Sequence, residues 1–429
     1  MTTRSLTPDF QVDSSLKGIP AHLGSIRSSE IGQYRLNVLG QQVEFPVALL
    51  KASALEHNQR WMKSFVEQTG VLLAPHGKTT MSPELMRMQI ADGAWGMTAA
   101  TSTHVRTYHT HGIRRILLAN QLVGRTNIDG VLALLADDPS LDFYTLVDSA
   151  AGLRLLRDGL VHRPIGRPLQ ILLELGAQGG RTGLRTLKEA VTLAREISAD
   201  PHFCLAGVEC FEGIYSGRNP ADDGSAAALV GELARLALTL KREGLFGLDQ
   251  PLFTAGGSAY FVIVVQVADR ELAEAGFQVV LRSGCYLTHD SKHYRLIHER
   301  LAIGSSSADK DGGLRPALEV WGCIQSRPEA GLALVNLGKR DISYDIDLPV
   351  ALWRHRSGER GPTPLDESHV TKGLNDQHLF LEVPRQSSLA VGDLIGLGVS
   401  HPCTTFDKWK TLFVVDDDYE VQSIVQTCF

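Results

Sequence analysis

Between residues 46 and 290, short apolar runs alternate with longer stretches whose apolar residues recur at helical spacing. The runs are Phe45–Leu50, Val71–Ala74, Trp95–Thr98, Arg115–Ala119, Phe143–Val147, Leu169–Leu175, Leu205–Phe211 and Leu252–Ala255. Helical patterning falls between them, as at Ser82–Asp92, Ser102–His111, Leu187–Ile197 and Ala226–Arg242. Strand-like runs, each followed by helix or loop, predict an α/β fold. A (β/α)8 barrel fits better than a doubly wound open sheet, although the alternation allows both.

The texture changes near residue 290. Leu314–Trp321, Arg327–Asn336, His378–Glu382 and Asp393–Gly398 read as β segments joined by turns rich in Gly, Pro, Asp and Ser. The expected organisation is an N-terminal segment (1–45) packing on a β domain, a barrel (46–290) and a C-terminal mostly-β domain (291–429). No internal repeat at solenoid spacing is present.

Bulk properties narrow the class. The chain has 429 residues, 43% hydrophobic and 21% charged, with a net charge of -6 and no basic stripe, which argues against a nucleic-acid partner. No apolar run has the length of a membrane span, and the first ten residues lack a signal-peptide core, so a cytoplasmic protein is expected. Six scattered cysteines do not form a disulfide framework.

Five segments carry candidate chemistry. In Val71-Leu72-Leu73-Ala74-Pro75-His76-Gly77-Lys78-Thr79-Thr80, proline ends a strand and an amine follows, at the end of a parallel α/β strand where chemistry collects. Such an amine suits Schiff-base formation with an aldehyde cofactor; the same lysine would equally serve as a solvated loop residue. Thr254-Ala255-Gly256-Gly257-Ser258 follows the last run of the proposed barrel. There it reads either as a tight turn or as a phosphate loop in the eighth βα connection. Gly179-Gly180-Arg181-Thr182-Gly183 offers a planar cation to a ring, phosphate or carboxylate, and Arg282-Ser283-Gly284-Cys285-Tyr286 adds a phenol. In Ser400-His401-Pro402-Cys403, an extended strand would point His401 and Cys403 to one side as an imidazole–thiolate pair suited to zinc. A buried histidine beside a structural cysteine is the other reading.

Taken in order, Pro75-His76-Gly77-Lys78-Thr79, Ile116-Leu117-Leu118-Ala119-Asn120-Gln121, Gly180-Arg181-Thr182-Gly183, Gly256-Gly257-Ser258, Arg282-Ser283-Gly284-Cys285-Tyr286 and His401-Pro402-Cys403 cover most of the chain. The set resembles fold-type III pyridoxal phosphate enzymes of the D-serine dehydratase and D-threonine aldolase-like family, in particular its bacterial amino acid deaminase and D-threo-3-hydroxyaspartate dehydratase-like branch. The resemblance implies an alanine-racemase-like (β/α)8 barrel with a C-terminal mostly-β domain, usually a homodimer. It implies Lys78 as the Schiff-base lysine. His76, Arg181, Gly256, Gly257, Ser258 and Tyr286 would then be cofactor-binding, and His401 and Cys403 ligands of Zn2+ or another divalent cation. Dehydratases of the family carry His-x-Cys, whereas its aldolases tend to His-x-Asp, in keeping with ligand softness.

The implied activity is a pyridoxal 5'-phosphate- and zinc-dependent lyase. It would dehydrate β-hydroxy D-amino acids such as D-serine to a 2-oxo acid and ammonia. Alternatives are a D-threonine aldolase, a racemase lacking an evident second base, and a non-catalytic vitamin B6-binding homeostasis protein. Thr80 stands where many relatives have histidine, Glu174 where aspartate is common, and Phe211-Glu212-Gly213 departs from a Tyr-containing segment. These departures bear on the pyridine contacts and on substrate choice.

Overall fold

The computed structural model describes residues 9–303 and 312–429, which divide into two compact units. One unit comprises Lys63–Lys78 and Arg87–Gly284. The other comprises Met1–Met62, Thr79–Met86 and Cys285–Phe429.

The first unit is a parallel barrel of eight strands: β1 (Leu72–Leu73), β2 (Met97–Ala99), β3 (Arg115–Gln121), β4 (Asp142–Val147), β5 (Leu169–Glu174), β6 (Phe203–Glu209), β7 (Leu252–Ala255) and β8 (Gln278–Leu281). Neighbours pair in parallel from β2 round to β8, and β8 pairs with β1. A parallel bridge between His76 and Thr98, with Trp95 N–H donating to the Leu73 carbonyl at 2.7 Å, joins β1 to β2 and closes the ring. Ala74, Leu117, Leu172, Ala206, Leu252 and Val280 pack into one apolar cluster drawn from strand after strand, as a filled barrel core requires.

The helices that follow these strands form for local reasons. Leu187–Ala199 buries Ala190, Leu193, Ala194 and Ile197 on one face. Thr186 caps it by accepting from Glu189 N–H at 3.2 Å, while its hydroxyl donates to the Glu189 carboxylate at 2.8 Å. Pro220–Arg242 starts with proline in its first turn behind the Asn219 cap and ends with Lys241 and Arg242, which suits both helix ends.

The second unit is built on a sheet of ten strands, antiparallel along Val350–His355, Leu394–Gly398, Leu318–Glu329, Leu332–Val335, Leu379–Glu382 and Val370–Leu374. Val12, Ile19, Ile31, Val38 and Val43 share a core with Trp321, Leu394, Phe413 and Val421. At its heart the buried Glu319 carboxylate accepts from Trp321 Nε1 at 2.7 Å, Trp353 Nε1 at 3.1 Å and the Tyr419 hydroxyl at 3.2 Å. Three donors satisfy a carboxylate that would otherwise be costly to bury.

Two expectations are corrected. The run at Phe45–Leu50 is not a barrel strand: Val47–Lys51 pairs antiparallel with Leu318–Glu329 and parallel with Thr411–Val415 in the second unit. The missing barrel strand is β8, so Gly256-Gly257-Ser258 follows the seventh strand rather than the eighth. Among the described residues no helix is long and apolar enough to cross a membrane.

Candidate functional site

In the barrel unit the predicted residues gather at the C-terminal ends of the strands. Pro75 ends β1, and Gly77–Thr79 forms a single helical turn that presents Lys78 as an exposed side chain. His76 is anchored by its N–H, which donates to the Arg282 carbonyl at 3.2 Å. Burial, and then the positive charges of Lys78 and Arg282, hold its imidazole well below the usual range, so it stays neutral. Its Nδ1 is buried with no hydrogen-bond partner among the described residues. His104, missed in the sequence, joins this group: burial and then Lys78 lower its pKa, and its Nδ1 accepts from Ala100 N–H at 3.3 Å.

The glycine loop after β7 already holds an anionic group. The Glu212 carboxylate, wholly buried, accepts from Gly257 N–H at 2.6 Å and from Gly256 N–H at 3.1 Å. Gly256 has φ +87°, and a Cβ there would lie 2.6 Å from Leu281 Cδ2, so no other residue fits without strain. Ser258 lies just before the helix Phe261–Leu272. The loop therefore fits an anion, but Glu212 holds two of its amides. A phosphate is left with Ser258 and the amides leading into the helix.

Arg181 is exposed, with its guanidinium 4.5 Å from the centre of the Phe211 ring. Behind it stand two carboxylates. Glu174 accepts from Thr182 Oγ1 at 2.5 Å and from Gln121 Nε2, and burial raises its pKa. Glu209 pairs with Arg282, yet burial pushes its pKa up to about 7. Arg282 also donates to the Cys210 carbonyl at 2.9 Å. Glu209 escaped the sequence reading because it ends an apolar strand with no motif around it.

In the second unit His401 and Cys403 do meet, but not on a strand. The strand ends at Gly398, Pro402 takes helical dihedrals and Cys403–Phe406 is one helical turn. His401 Nδ1 donates to Asp345 Oδ2 at 2.6 Å, and Thr404 Oγ1 donates to the other oxygen at 2.6 Å. The ring's remaining nitrogen is left for the Cys403 sulfur, with which the imidazole hydrogen-bonds. Cys403 is held well below the usual thiol range by a hydrogen bond with Cys285, against the cost of burial, and by His401 and Thr79. Burial works against His401's charge, but Cys403 and Asp345 raise its pKa to about 9.

The orientation of one imidazole nitrogen by a carboxylate, with a thiolate at the other, is the donor chemistry of a borderline-soft divalent ion. Among the described residues no three His, Cys, Asp or Glu side chains yet converge on one point. Tyr286 is buried, at 3% exposure, one residue beyond Cys285. None of the six cysteines is in a disulfide.

Comparison with known proteins adds the following. Residues 50–276 match the alanine racemase N-terminal domain, and residues 317–415 match the domain described as "Putative serine dehydratase domain". A D-threonine aldolase from an Arthrobacter species is 24% identical over 380 residues, covering 88% of this chain and 90% of the relative. A 3-hydroxy-D-aspartate aldolase from Paracoccus denitrificans is 24% identical over 324 residues, covering 73% of this chain and 76% of the relative.

Among solved structures, the D-threonine aldolase of Filomicrobium marinum superposes with a TM-score of 0.73 at 22% identity, covering 90% of this chain and 95% of its own. The D-threo-3-hydroxyaspartate dehydratase of Delftia sp. HT23 gives 0.71 at 20% identity, covering 91% and 99%. Also similar are variants of a D-threo-3-hydroxyaspartate dehydratase in which a histidine or, two positions on, a cysteine is replaced by alanine, the cysteine variant in a metal-free form.

Proposed function

Because the chain belongs to the alanine racemase N-terminal domain family, and with it to the fold-type III pyridoxal phosphate enzymes, we propose that it is a metal-assisted dehydratase of β-hydroxy D-amino acids. The observation that carries this reading is the meeting of His401 and Cys403, backed by Asp345, at the two-residue spacing altered in the dehydratase variants. In this reading zinc is the ion, and the protein works as a cytoplasmic homodimer.

Pyridoxal phosphate, when bound, accepts the electron pair left at Cα and so makes that carbon acidic. Lys78 Nζ would hold the cofactor and, as an exposed amine at the strand end, would be the base that takes the Cα proton. The orphaned Nδ1 of the neutral His76 ring and the exposed Arg181 guanidinium are the groups suited to hold the cofactor's polar edge, and Ser258 its phosphate. Glu212 fixes the loop that presents Ser258. In the second unit, His401 and Cys403 would hold a divalent ion, whose chemistry is to offset negative charge developing on a hydroxyl oxygen, an effect of several kcal/mol at about 1.4 kcal/mol per tenfold in rate. Asp345 sets the tautomer and aim of His401. D-Serine would leave as pyruvate and ammonia.

Borohydride reduction of the cofactor-loaded protein, followed by peptide mass analysis, tests the cofactor half of the reading. The phosphopyridoxyl group is expected on Lys78, and a label on any other lysine would refute that assignment. The second reading is an aldolase, favoured by the names of the two curated relatives. It shares every residue above and differs in which bond breaks.

A further inference from the structure

Cys285 stands beside the proposed metal ligands without a role in the dehydratase reading. It is buried, at 3% exposure, and its Sγ lies 3.7 Å from Cys403 Sγ. The two residues are 118 positions apart in the chain, so the fold alone brings them together. Thr79 Oγ1 completes a small polar triangle, 3.5 Å from the Cys403 sulfur and 3.8 Å from that of Cys285.

Zinc–thiolate bonds of about 2.3 Å at the tetrahedral angle place two sulfurs about 3.8 Å apart. The cysteines already stand at that edge length, well beyond the roughly 2.0 Å of a disulfide. His401 approaches the same sulfur, with its far nitrogen committed to Asp345. We propose that Cys285 is a third protein ligand of the metal, making a Cys2His site with one position left for substrate. This inference rests on the reading of His401 and Cys403 as ligands and deepens it.

The consequences are chemical. Two thiolates and an imidazole select zinc over magnesium, manganese or calcium, which prefer oxygen donors. A three-ligand site with an open fourth position is the arrangement of a catalytic rather than a structural zinc. Among the described residues no three such donors surround one point, so the proposal requires the set to close when the ion binds.

The test uses the reduced full-length chain without substrate, titrated with Co2+ and, in competition with a chelator, with Zn2+. Sulfur-to-cobalt charge-transfer absorbance in the near ultraviolet grows with the number of thiolates bound. Cys285→Ser is expected to lose about half of that absorbance per bound cobalt and to bind zinc at least about tenfold more weakly. Full absorbance and unchanged zinc affinity in Cys285→Ser, with both lost in Cys403→Ser, would overturn the third ligand while leaving the two-ligand reading standing. Unchanged binding in Cys403→Ser as well would remove both. Should Cys285→Ser not fold, X-ray absorption of the zinc-loaded natural protein decides instead. Two sulfurs at about 2.3 Å support the proposal, and one sulfur overturns it.

Discussion

Glu174 and Glu209 stand directly opposite one another in the register of β5 and β6, two buried carboxylates at the barrel's C-terminal rim. Burial raises the pKa of both, Glu209's to about 7 despite its ion pair with Arg282, with the charge of Glu174 adding to the rise at Glu209. A carboxyl whose folded pKa is raised contributes stability that is complete below its unfolded pKa and is lost as pH climbs through the folded one.

For Glu209 that window runs from 4.5 to about 7. Across it the natural protein should lose at most about 3 kcal/mol attributable to this group. Glu209→Gln removes the titration, so its stability should change less over the same interval. Denaturant midpoints of both proteins from pH 4.5 to 8 check this; parallel curves would show that Glu209 titrates normally.

Lys78→Ala should abolish the visible absorbance of lysine-bound cofactor and reduce turnover by about three orders of magnitude or more. Its fold should be unaffected, since Lys78 is exposed. Spectra and circular dichroism of the variant reconstituted with pyridoxal phosphate would show both.

Removing the Glu212 carboxylate orphans two amides, that of the buried Gly256 and that of the half-buried Gly257. At roughly 1–3 kcal/mol for each unsatisfied group, Glu212→Ala should cost about 2–6 kcal/mol, and Glu212→Gln less because one acceptor oxygen remains. Urea unfolding of the two variants would rank them; equal stabilities would mean the loop is not held by this carboxylate.

Cys403→Asp exchanges a soft donor for a hard one and should move metal preference from zinc toward manganese or magnesium, with weaker dehydration. Metal content after equilibration with mixed ions, alongside 2-oxo acid release, measures both effects.

Much of this molecule was legible in its sequence, and the failures have physical causes. Val47–Leu50 looked like a barrel strand because a central strand covered on both faces is as continuously apolar as a barrel strand, all four residues being at most 1% exposed. β8 was overlooked because it is four residues long, opens with glutamine and buries only its last two positions. Lys78 and the glycine loop stood out in the sequence because a strand end and a tight backbone leave marks in adjacent residues, and the structure places both just past barrel strands. Asp345, Glu209 and Cys285 act through partners far away in the chain, and spacing holds no trace of them. His401 and Cys403 were found through their spacing, although a loop and a helical turn, not a strand, bring them together.

The most direct measurement is product analysis after incubating protein loaded with pyridoxal phosphate and zinc with D-threonine, with and without a chelator. The dehydratase account predicts 2-oxobutyrate and ammonia, both suppressed by the chelator and restored by zinc. Glycine and acetaldehyde would contradict it and make the chain an aldolase.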